Sequence, residues 1–123
     1  MDAQTLETIT RHYLVCGLWA SSDDAGEPLD CGRSIDADVS PDVWKQARED
    51  VADFVDLLNR EGVAWLEIMT PESLGHDFWL TRSGHGAGFW DRGYGRLGDI
   101  LTEWAANYGT VDLYVGDDGK VHG

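Results

Sequence analysis

The sequence predicts an α+β domain: a small antiparallel sheet of three to four strands with about three helices packed against it. Three observations lead there. Two segments, near residues 41–61 and 96–108, repeat apolar residues at helical spacing between recognisable start and stop signals. A central stretch, Gly75 to Gly98, holds seven glycines and five aromatics, as strands joined by tight turns do. The chain is 123 residues long, the size of one domain with one core.

Taken in order, residues 3 to about 19 place Leu6, Ile9, Tyr13 and Cys16, with Leu14 beside them, on one face of an amphipathic helix. Turn-forming residues then fill 21–39 without sustained periodicity, which reads as a long loop. The second helix has Ser40 as N-cap, Pro41 at its first position, Asp42 in its first turn and Gly62 just past its end. Its apolar stripe is Val43 or Trp44, Ala47, Val51, Phe54, Val55 and Leu58. Val63 to Met69 is short and apolar, fits either strand or helix, and is closed by Pro71. Asp77–Arg82 and Ala87–Asp91 read as two strands around Ser83-Gly84-His85-Gly86, with Gly84 and His85 as a type II′ turn. That register opposes Leu80 to Phe89 and Trp79 to Trp90. The third helix begins near Arg96, carries Leu97, Ile100, Leu101, Trp104, Ala105 and Tyr108 inward, and stops at Gly109. Val111, Leu113 and Val115 alternate with polar positions as a last strand, and Asp117-Asp118-Gly119 turns the chain towards Lys120-Val121-His122.

Charge narrows the function. The chain has 23 acidic against 9 basic residues, a net charge of −14. Direct nucleic-acid binding is disfavoured because phosphate contacts need a basic patch, and anionic membranes are disfavoured likewise. Residues 1–75 hold 16 of the acids and 5 of the bases, so one side is expected to be the more acidic and to suit a basic partner. Asp23 and Asp24 in the loop, and Asp50, Asp53 and Asp56 on the second helix, are the candidate acidic contacts. Such a helix face also admits mimicry of nucleic-acid phosphates, against the plainer role of keeping the protein soluble. Two cysteines, Cys16 and Cys31, form neither a CxxC pair nor a disulfide framework, and no apolar run approaches a membrane span. A cytosolic protein is expected. The sequence carries no signal of oligomeric state.

The central stretch gathers the chemistry-bearing residues. Its G-H-G-A-G run lacks the strand-then-helix setting and the G-K-[ST] of phosphate loops. His76, Asp77, Arg82, His85 and Asp91 form a polar cluster that suits a small molecule, a nucleotide or acid–base hydrolysis, although no histidine pair has the H-E-x-x-H spacing of a zinc site. No nucleophile motif is present, and no metal or cofactor is expected. Trp79 and Trp90 beside Arg92 suit protein binding if they are exposed; otherwise they are core.

The segment G-H-D-F-W-L-T-R-S-G-H-G-A-G-F-W-D from Gly75 to Asp91, L-W-A-S-S-D-D-A-G-E-P-L-D from Leu18 to Asp30, and D-L-Y-V-G-D-D-G-K-V from Asp112 together resemble a family of small bacteriophage and prophage proteins. Members of that family carry W-S-S-T-D-D and N-G-H-G where this chain has Trp19-Ala20-Ser21-Ser22-Asp23-Asp24 and Ser83-Gly84-His85-Gly86. The resemblance brings a genomic setting and no catalytic residues. It implies a non-enzymatic accessory protein that binds and modulates a host protein, such as a defence or nucleic-acid-handling factor.

Overall fold

A computed structural model describes residues 2–23, 25–84 and 88–123. The expected three- to four-stranded sheet is not found among the described residues. Among the described residues the chain is mostly helical, with five α-helices and a single two-stranded antiparallel sheet. The helices are α1 (Ala3–Ala20), α2 (Ile35–Asp38), α3 (Pro41–Arg60), α4 (Pro71–Arg82) and α5 (Arg96–Ala106). The strands, β1 (Tyr114–Val115) and β2 (Val121–His122), pair Tyr114 with His122 and Val115 with Val121.

Side-chain caps start four of the five helices, all but α5. Asp2 accepts the Thr5 N–H at 2.7 Å before α1, and Ser40 accepts the Val43 N–H at 3.4 Å before α3. Thr70 accepts the Ser73 N–H at 3.1 Å before α4, and both α3 and α4 place a proline in the first turn. Each cap satisfies an N–H that the first turn leaves without an intrahelical acceptor.

The largest correction concerns α4. Asp77–Arg82, expected as the first strand of a hairpin, is the second half of this helix, and within Ala87–Asp91, expected as the second strand, Phe89–Asp91 forms a single 3₁₀ turn. The proposed turn residues His85 and Gly86 lie outside the described residues. The physical reason is burial on all sides of the second half: Asp77, Phe78, Trp79, Leu80, Thr81 and Arg82 are all buried, so this half has no polar face to reveal a helical period. It runs through the middle of the molecule. Phe78 stacks on Phe54 of α3 with ring centroids 4.3 Å apart and packs 5.3 Å from Tyr13 of α1.

Glycine allows the α1–α4 contact to be close. A Cβ on Gly75 would overlap the Ile9 carbonyl oxygen and lie 2.9 Å from the Tyr13 nitrogen. A Cβ on Gly17 of α1 would lie 3.1 Å from the Trp79 ring, a tight contact with a side chain of α4. The two backbones therefore touch where any larger residue would separate them.

The remaining elements are smaller departures. Val63–Met69 contains a 3₁₀ turn at Trp65–Glu67, and the 21–39 loop contains α2, capped by Ser34 and held by the Trp44 Nε1 bond to the Ile35 carbonyl at 3.1 Å. The last strand is shorter than its alternation suggests, since only Tyr114 and Val115 enter the ladder. Among the described residues, no helix is long and apolar enough to cross a membrane.

Candidate functional site

The polar residues of the central stretch divide between two places on opposite sides of α4. Arg82 is the first. Its side chain is only 5% exposed, and it ties together four parts of the chain. Nη1 donates to Asp50 at 2.7 Å and to the Tyr13 hydroxyl at 2.9 Å, Nε donates to the Gly109 carbonyl at 2.7 Å, and Nη2 donates to the Tyr108 carbonyl at 2.8 Å. The last two acceptors are carbonyls just beyond α5, where a cation is favourable. Burial pushes the Tyr13 phenol up to about 12, with Arg82 pulling the other way. With four of its five N–H donors bound inside the protein and its side chain buried, Arg82 is a structural clamp.

Asp77 is the second place. Its side chain is 3% exposed and is gripped by Arg92, whose Nη2 lies 2.7 Å from Oδ1 and whose Nε lies 3.1 Å from Oδ2. Those bonds raise the Arg92 pKa further, and burial followed by the Asp77 charge raises that of Tyr94. His76 Nδ1 stands 3.5 Å from Asp77 Oδ1, too long for a strong hydrogen bond and aimed at a carboxylate that Arg92 already occupies. His76 and Asp77 therefore do not form an acid–base dyad.

Around this pair lies an open cleft of about 400 Å³ lined by His12, Glu72, Ser73, His76, Arg92 and Tyr94 with Asp77 at its base. Trp19 stands at its edge, 59% exposed, with its ring centroid 6.4 Å from that of His76. Val15, also exposed, lies between His12 and Trp19 on the same outer stripe of α1. The face thus combines a large aromatic, an aliphatic residue, two histidines and an arginine held in one orientation.

The other predicted residues scatter. Trp79 is buried at 1% exposure, whereas Trp90 is 51% exposed, so the expected pairing of the two on one sheet face is replaced by one core and one surface tryptophan. Asp91 is exposed at the end of the 3₁₀ turn, and His85 lies outside the described residues. Asp23 accepts the N–H groups of Ala25 and Glu27 at 2.9 and 3.0 Å, which organises its own turn; Asp24 lies outside the described residues. On α3, Asp50 is taken by Arg82, Asp53 accepts the Tyr108 hydroxyl at 2.5 Å, and Asp56 pairs with Arg60 at 3.1 Å. Among the described residues no three His, Cys, Asp or Glu side chains converge as metal ligands.

His12, Val15, Trp19 and Tyr94 were not among the predicted site residues. The signal for three of them was present, because positions 12, 15 and 19 form a stripe off the core face of α1, and an aliphatic residue and a tryptophan there have no core to fill. No protein-family model, no curated protein and no solved structure matches this chain.

Proposed function

We propose that this chain is a small protein-binding module that engages its partner through the face built from Val15 and Trp19 of α1, His76 of α4, and Arg92. The single observation that carries this reading is Trp19, more than half exposed beside His76, which shares its cleft with an arginine already fixed by a buried carboxylate. Tryptophan and arginine dominate binding energy at protein interfaces, and an arginine ordered before binding loses less side-chain freedom when the partner arrives. The acidic surface supports long-range attraction of a basic partner, as a net charge of −14 favours its encounter rate. Mimicry of phosphates draws less support, because Asp50, Asp53 and Asp56 each already have an internal partner. The resemblance to small phage and prophage proteins supports a host protein as the partner.

A photo-crosslinking residue placed at Trp19 and, separately, at Glu49 on the exposed side of α3 tests this in host extract. The expected result is one discrete product from position 19, lost when Arg92→Ala is added and absent from position 49. Equal products from both positions, or an unchanged product with Arg92→Ala, refutes the assignment of this face.

One observation favours a second reading, binding of a small anionic molecule or nucleotide in the same cleft: His12, His76, Arg92 and Tyr94 all line it. Titration of the native chain with a nucleotide panel, followed through histidine ring resonances, separates the two. Saturable shifts at His12 and His76 favour the small ligand.

A further inference from the structure

We propose that residues 110–113 are an open strand edge that accepts an extended, basic segment of a partner protein by backbone pairing. The site is built from residues that the Trp19 face does not use. Burial alternates along it in strand fashion: Val111 is half-buried, Asp112 exposed, Leu113 buried and Tyr114 exposed. The ladder with β2 nevertheless begins only at Tyr114, and none of the backbone N–H or C=O groups from 110 to 113 has a hydrogen-bond partner among the described residues. Continued back from the Tyr114–His122 pair, strand alternation turns the N–H and C=O of Val111 and Leu113 away from β2. A row of that kind is a template for another strand.

A groove of about 270 Å³ lies against this segment, walled by Ser21 and Ser22 beyond the end of α1 and by Trp79 and Ser83 of α4 and its cap. Two of these groups are buried without a partner among the described residues, the Trp79 Nε1–H and the Ser83 hydroxyl. Buried polar atoms are nearly always hydrogen-bonded, so a donor-only indole N–H here calls for an acceptor such as a peptide carbonyl. The backbone row and the orphaned side-chain atoms thus ask for the same chemistry from the same groove.

Charge selects the occupant. A second copy pairing antiparallel on this edge would bring Asp112 close to its own equivalent on chains that each carry −14. A lysine- or arginine-bearing strand meets Asp112 favourably. The occupant is therefore an extended basic peptide.

The test uses the full chain, isotope-labelled, with a capped pentapeptide alternating valine and lysine as the probe. A matched peptide N-methylated at its valine nitrogens keeps the side chains and charge but loses backbone donors. Saturable displacement of the Trp79 indole N–H resonance, with amide exchange at Val111 and Leu113 slowed about tenfold near saturation, is expected with the first peptide only. Trp19→Ala and Arg92→Ala should leave this response intact. Equal responses to both peptides would mean attraction by charge or side chains and overturn the pairing, and so would no response to either. A shift of the same resonances on concentrating the protein alone would assign the edge to a second copy, against the proposal.

Discussion

Replacing Arg82 with methionine removes the guanidinium while keeping much of the side chain's length and apolar volume, so the loss reports the clamp and not a cavity. Four acceptors are abandoned. The Tyr13 hydroxyl is the most enclosed and loses about 1 to 2 kcal/mol. Asp50 keeps its bond from Gln46 at 2.9 Å and is partly open to water, so its cost is nearer the lower end of that for an orphaned buried charge, about 1 to 2 kcal/mol. The two carbonyls beyond α5 recover some hydration and add about 1 kcal/mol together. The sum, about 3 to 5 kcal/mol, is a large share of the 5 to 15 kcal/mol typical of a domain. For a urea slope of about 1.5 to 2 kcal/mol per M it lowers the midpoint by about 2 M. Far-ultraviolet circular dichroism in urea measures this, and Asp50→Asn supplies a double-mutant cycle with an expected coupling of about 1 to 3 kcal/mol. A loss below about 1 kcal/mol, or strict additivity of the two changes, refutes the clamp.

Two further perturbations follow from the packing. Gly75→Ala gains about 1 kcal/mol of helix propensity but forces α1 and α4 apart at the Ile9 carbonyl, so a net destabilisation of about 2 to 4 kcal/mol is expected in the same urea assay; a stabilised variant would show that the helices do not cross closely there. The alkaline limb is set by buried acids: the Cys16 thiol is pushed by burial from 9.0 up to about 12 and the Tyr13 phenol from 10.0 up to about 12. Both pKa values are raised in the folded state, so their contribution is whole below the unfolded values and is lost as pH climbs from about 9 to about 12. Tyr13 alone accounts for about 2 to 3 kcal/mol of that loss. A urea midpoint that stays level across this window contradicts the buried placement of both groups.

The parts of the fold legible in the sequence are those whose helices keep a polar side. Ser40-Pro41-Asp42 and Gly62 bracket α3, and the stripe from Val43 to Leu58 is buried as its spacing predicts. The stripes of α1 and α5 are likewise visible, as is Gly109, which takes a positive φ of 76° beyond α5. Helix α4 was hidden because its second half is buried all round and rich in Phe, Trp and Thr, residues that also favour strands. Its start was nonetheless written in the same grammar as that of α3: Thr70-Pro71-Glu72 repeats the cap, proline and acidic residue of Ser40-Pro41-Asp42. Pro71 reads as the end of the preceding segment only if that parallel is overlooked.

The site residues were misplaced for a related reason, which also explains what they do. Asp77 and Arg82 are five apart, and on a helix turning about 100° per residue that sets them roughly 140° apart around the axis. They cannot share a cleft, and each is buried facing a different neighbour. Two charges of opposite sign on a buried helix then each need a partner from elsewhere, since an uncompensated buried charge costs several kcal/mol. Arg82 finds Asp50 on α3, and Asp77 finds Arg92 on the segment between α4 and α5. The first pair closes inside the protein. The second does not, because Arg92 is 38% exposed and holds its guanidinium at the surface with Asp77 behind it. A charge that α4 had to neutralise for its own burial thereby fixes an arginine on the outer face, in the same cleft as His76, beside which Trp19 stands, and the demands of the core supply a contact surface with its cation already in place.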